Sequence, residues 1–179
     1  MIEINNLVKR YGNTRAVNGI SFTVNDGEVL GFLGPNGAGK STTMNIITGY
    51  LSSTSGSVLV DGHDILEDPV AAKKNIGYLP ELPPLYFDMT VREYLNFVCD
   101  LKKVPSSERK AQINKILSMV HITDYADRLI GNLSKGYKQR VGMAQAMVGD
   151  PKILILDEPT VGLDPTQIQE IRKLIRALA

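Results

Sequence analysis

The nine residues from Gly34 to Thr42, GPNGAGKST, constrain this chain more than any other feature. They match GxxxxGK[ST] and lie between an apolar run, Val29 to Leu33, and a helix-like stretch, Met44 to Ile47. Such a loop cradles phosphate where a strand enters it and a helix leaves it, and the sequence predicts both. Gly34, Gly37 and Gly39 are expected to take positive φ, so that successive N–H groups face a bound anion. The unpaired N–H groups and positive dipole end of the next helix add to that field. Lys40 is placed to reach the terminal phosphates, and Ser41 to offer its hydroxyl to magnesium. The expected ligand is a nucleoside triphosphate.

The length of 179 residues suits one domain, or one domain with a lobed insertion. The single cysteine, Cys99, has no partner within the chain, which points to a reducing compartment and a cytoplasmic location. Net charge is +1, from 20 basic and 19 acidic residues scattered along the chain, so no nucleic-acid partner is expected. The apolar runs fall far short of the roughly 20 residues of a spanning helix. Any work at a membrane is therefore expected to need other chains to cross it.

The first third reads as short strands: Ile2 to Ile4, Ile20 to Val24, Val29 to Leu33, and Ser57 to Val60 closed by an Asp61-Gly62 turn. In the middle third the period becomes helical. Thr90 with Glu93 forms a capping-box pattern ahead of Val91, Tyr94, Val98 and Leu101; Ser106-Ser107 then opens a helix facing inward with Ile113, Ile116, Leu117 and Val120. These helices read as a lobe inserted over about residues 82–150. Ile153 to Leu156 suits a central parallel strand covered on both faces. Asp164 can cap, and Pro165 start, a final helix with Ile168, Ile171, Ile175 and Leu178 on its core face.

Asp157 and Glu158 close the buried strand, and Pro159 stops its extension. Ligands of open α/β sheets lie at the carboxyl ends of strands, so Asp157 can hold magnesium and Glu158 can polarise an attacking water. Further along, LSKGYKQR (133–140) starts a helix for which Ser134 is an ordinary N-cap. Gly136 in its first turn costs about 1 kcal/mol against alanine. It makes sense where something, with phosphate the obvious candidate, approaches the helix start closely.

Taken together, the loop at 34–42, LSKGYKQR at 133–140, ILILDEPT at 153–160 and GLDP at 162–165 resemble an ATP-binding cassette (ABC) transporter ATPase subunit. The resemblance spans nearly the whole chain. It implies an α/β phosphate-loop NTPase core with a mainly parallel central sheet, an antiparallel β subdomain near the N-terminus and an inserted helical subdomain, all in one domain over 1–179. It also implies ATP and Mg2+ as cofactors. By position, Gly34, Pro35, Asn36, Gly37, Ala38, Gly39, Lys40, Ser41 and Thr42 match the triphosphate cradle, and Tyr11 matches the aromatic that stacks on adenine. Lys40 and Glu158 match catalytic positions, and Ser41, Asp157 and Glu81 match magnesium positions. Ser134, Gly136 and Asp164 match residues that meet a second copy of the domain and the nucleotide it holds. The implied partners are that second copy, in a homodimer or heterodimer, and a transmembrane permease subunit. The implied location is the inner face of the cell membrane.

The sequence departs from the pattern at three points. Glu81 stands where the family usually has glutamine, and Lys135 and Tyr137 replace the usual glycine and glutamine of the signature, a variant that resembles cassettes serving export-type permeases. The family's histidine after the last helix has no counterpart, since His63 and His121 both precede Asp157, and the chain is therefore expected to be C-terminally incomplete. Two other readings stay open: a soluble ABC ATPase acting on ribosomes or DNA, and a nucleotide-binding fragment without turnover.

Overall fold

The N-terminal strands follow the alternation of their apolar residues, with one interruption. In the computed structural model, which describes residues 1–178, β1 (Ile2–Tyr11) turns Ile2 and Ile4 inward, and then Asn6 adopts φ 46°. This bulge shifts the register with β2 (Thr14–Val24), so the next inward residue is Leu7 rather than residue 6. The Asn6 amide donates to the Ser21 hydroxyl at 2.8 Å, which satisfies the N–H the bulge removes from the ladder.

Residues 1–76 form one unit and 77–178 another. In the first, β3 (Ser55–Val60) pairs antiparallel with β1, and β4 (His63–Asp64) pairs with β3, giving the order β2-β1-β3-β4. Asp61 and Gly62, both at positive φ, make the tight turn of the β3–β4 hairpin, where the sequence placed it. Helix α1 (Lys40–Ile47) follows the glycine-rich loop, and α2 (Pro69–Lys74) is capped by Asp68. Val29 to Leu33 do not form the expected strand. They join neither sheet among the described residues, and Leu33 is 92% exposed. A strand is stable only with a ladder partner, and this run has none; Phe32 instead rests on Phe22 of β2, ring centroids 5.7 Å apart.

β5 (Ile76–Leu79), which leads into the second unit, and β6 (Ile153–Leu156) pair as a parallel sheet. Between them lie α3 (Val91–Leu101), α4 (Ser106–Met119) and α5 (Lys135–Met147), and α6 (Pro165–Leu178) follows. The Thr90–Glu93 capping box forms in both directions: the Glu93 amide donates to Thr90 Oγ1 at 3.2 Å, and the Thr90 amide donates to Glu93 Oε2 at 2.8 Å. Val91, Tyr94 and Val98 are buried as expected, but Leu101 is 66% exposed. Leu95 and Cys99 instead extend the buried face of α3. All four expected α4 positions are buried. On β6 only Ile155 is fully buried, so that strand is less covered than its apolar run suggests. On α6, Ile171 and Leu174 carry the burial, with Ile168, Ile175 and Leu178 at its margins.

Candidate functional site

The phosphate loop is shaped by its last glycine. Gly39 sits at φ 86° as the N-cap of α1, and a Cβ there would collide with the carbonyl oxygen of Ala16. No side chain caps this helix start, so its amides are left to the loop and to whatever enters it. Gly37 is also at positive φ, but Gly34 is not; at Gly34 the missing Cβ makes room for the Ala38 methyl, which would lie 3.2 Å away. Lys40 Nζ donates to the carbonyls of Gly34 at 2.7 Å and Pro35 at 3.0 Å. Two of its three donors thus wind the loop around the ammonium group, which leaves one donor for a further acceptor. Pro35, Asn36, Gly37, Ala38 and Ser41 are exposed, and Thr42 is half-buried. These donors and the Cβ-free approach at Gly39 fit a bound polyphosphate. Tyr11, on the same unit, is half exposed with Lys9 Nζ 5.3 Å from its ring centre.

Asp157, Glu158 and Glu81 follow the ends of β6 and β5 in the second unit. The Asp157 amide donates to the Leu79 carbonyl at 2.8 Å, which ties the end of β6 to the end of β5, two residues before the exposed Glu81. Burial, and then the Asp157 carboxylate, push the Tyr78 hydroxyl above its ordinary pKa. Glu158 takes φ 47°, a left-handed conformation costing a non-glycine residue about 1–3 kcal/mol. Its carbonyl accepts from the Val161 amide at 3.1 Å, so the strain sits in the turn that leaves β6. Among the described residues no three His, Cys, Asp or Glu side chains gather around a cation position.

A third constellation brings together Ser134, Gly136 and Asp164. Ser134 caps α5, accepting from the Tyr137 amide at 3.4 Å, and Asp164 Oδ1 caps α6 by accepting from the amides of Thr166 at 3.0 Å and Gln167 at 2.9 Å. Gly136 and Asp164 line a cavity of about 420 Å³ with Tyr137, Arg140, Gln167 and Glu170. Tyr137 stacks on Tyr125 with ring centroids 4.0 Å apart, and a hydrogen bond with the Tyr125 hydroxyl is the first cause of its raised pKa. The close neighbour for which Gly136 makes room is a side chain of this chain. A Cβ on Gly136 would lie 2.6 Å from the Gln167 amide nitrogen.

A family model described as ABC transporter matches residues 17–161. The chain belongs to the ABC transporter family. This cassette is 41% identical over 178 residues to the uncharacterized ABC transporter ATP-binding protein YxlF of Bacillus subtilis, covering 99% of the chain and 59% of that relative's length. Among solved structures it resembles cbiO1 of Clostridium perfringens, described as part of the ABC transporter complex cbiONQ, with TM-score 0.89, 34% identity, and 99% and 72% of the two chains covered. It also resembles the dimeric structure of MJ0796, a bacterial ABC transporter cassette, with TM-score 0.86, 28% identity, and 99% and 82% covered.

Gln167 is the residue of this cassette that motif reading does not reach. Its signal is nevertheless in the sequence, because Asp164-Pro-Thr-Gln167 has the spacing of a capping box. The Asp164 amide donates to Gln167 Oε1 at 3.4 Å, closing that box.

Proposed function

We propose that this chain is the ATP-binding and ATP-hydrolysing subunit of an ABC transporter, driving transport by a separate membrane permease. The observation that carries the reading is the phosphate loop, with Gly39 at positive φ against Ala16 and Lys40 wound into the loop's own carbonyls. ATP is the nucleotide of the reading. Gly34 to Thr42 hold its phosphates, Tyr11 meets its base, and Ser41, Asp157 and Glu81 hold Mg2+, which supplies charge neutralisation at the phosphates when bound. Glu158 orients and polarises the attacking water.

Ser134, Gly136 and Asp164 then serve a second copy of the domain, so each site is completed by two chains. The dimeric MJ0796 cassette supports that arrangement. We assign the helices over about 82–150 to an inserted lobe. The permease contact is supported by the exposed apolar side chains that follow Glu81, Leu82 at 83% and Phe87 at 58% exposure, together with the half-exposed Tyr86. No described helix is long and apolar enough to cross a membrane, so the chain would work at the inner face of the cell membrane through that permease. The signature variant at Lys135 and Tyr137 supports an export-type permease.

Nucleotide binding and phosphate release, measured on the same preparations, test the reading. Lys40→Ala should weaken ATP binding at least tenfold, whereas Glu158→Gln should keep binding and lose roughly 100-fold or more in turnover. Wild-type turnover in either variant would overturn it.

A further inference from the structure

The cavity in front of Gly136 contains a cation that is already committed. Arg140 Nη1 donates to the Val120 carbonyl at 2.9 Å, and its Nη2 pairs with the Glu170 carboxylate. What faces Gly136 is the neutral amide of Gln167, close enough that a Cβ would meet its nitrogen at 2.6 Å and its oxygen at 2.7 Å. The side-chain oxygen of that amide accepts from the Asp164 backbone amide at 3.4 Å, and the Gln167 backbone amide donates in turn to Asp164 Oδ1 at 2.9 Å, which closes the capping box of α6. The same face carries a second interlock. Gly162, at φ 70° in the turn before α6, leaves space that the Lys135 side chain fills, so α5 presents a glycine to a side chain of α6 and the turn before α6 presents one to a side chain of α5.

We propose that Gln167 is a gate in cis: it occupies the approach to Gly136 and must swing out before a triphosphate held by a second copy can reach the start of α5. This rests on the functional reading above, in which Gly136 meets the partner's nucleotide. Swinging out breaks the bond to the Asp164 amide, so loading at Gly136 releases an N–H in the Asp164 loop. Arrival of the second copy's nucleotide and rearrangement of that loop are one event. The far end of a glutamine moves at little cost, so the gate is reversible.

The test compares Gln167→Ala and Gln167→Glu in the purified Glu158→Gln protein, measuring fluorescent-ATP binding by the monomer and the ATP concentration at half-maximal dimerisation by light scattering. Gln167→Ala should dimerise at about threefold lower ATP despite a lower melting temperature, an opposition that a merely structural role would not produce. Gln167→Glu keeps the capping box and puts a carboxylate before the approaching phosphate. It should need at least tenfold more ATP to dimerise while the monomer binds nucleotide as before. If both variants bind and dimerise like the parent, the gate falls and the functional reading stands. If the parent binds ATP in neither assay, the functional reading falls and the gate with it.

Discussion

Helices α1 and α5 both begin beside a glycine, yet the two starts are built in opposite ways. At α1 the glycine is the cap itself, held at φ 86° against the Ala16 backbone, and no side chain competes for the first amides. At α5 the cap is the Ser134 side chain, and Gly136 inside the first turn faces the amide of Gln167. One helix start is shaped by the backbone and stands open, while the other is covered by the chain's own polar groups. The lesson is that a glycine beside a helix start marks close approach without saying by what. At Gly39 the close neighbour is fixed backbone, and at Gly136 it is the movable end of a side chain.

The largest test of that contrast is alanine at each glycine, followed by urea denaturation. Gly39→Ala forces a Cβ into the Ala16 carbonyl at a left-handed φ and should cost roughly 3 kcal/mol. Gly136→Ala gains helix propensity and displaces only the tip of Gln167, so it should stay within about 1 kcal/mol of the parent. Equal losses at the two positions would erase the distinction. The caps come next. Thr90→Ala removes half of a well-formed box and should cost about 1 kcal/mol, whereas Ser134→Ala, losing a single 3.4 Å bond, should cost roughly half as much.

The smallest effect is one of pH. The Thr90 backbone and then its hydroxyl hold the Glu93 carboxyl below its ordinary value of 4.5. A depressed carboxylate stabilises the fold at pH values above its unfolded pKa, and that contribution fades as pH falls through the folded value. Melting temperatures of the parent and Glu93→Gln should therefore converge below about pH 4.5 and separate above it.

The helix caps were legible because their chemistry is local. Ser134 and Asp164 sit within three residues of the backbone amides they cap, and the Thr90–Glu93 spacing marks the start of α3 to the residue, whereas the bonds of Lys40 to the loop's own carbonyls carried no sequence signal. Elements that depend on distant partners were not legible. Val29 to Leu33 has the composition of a strand, but a strand forms only where a ladder partner is available. Leu101 lies at the C-terminal end of α3, where the buried stripe has already passed to Leu95 and Cys99. Gly136 was legible as a point of close contact, but its neighbour, thirty-one positions downstream on another helix, was not.

The unpaired run that leads into the phosphate loop also has a consequence for the timing of amide exchange. Val29 to Leu33 connects the β1–β2 hairpin to the loop without a ladder of its own, anchored by Phe32 on Phe22 and by the Glu28 amide on the Asn25 carbonyl at 3.1 Å. Its N–H groups should take up deuterium within seconds, while those of β1, bonded on both sides, should hold their protons far longer. The segment is thus a built-in reporter: whatever completes its ladder will appear as slowed deuteration at residues 29–33, immediately ahead of the glycine-rich loop.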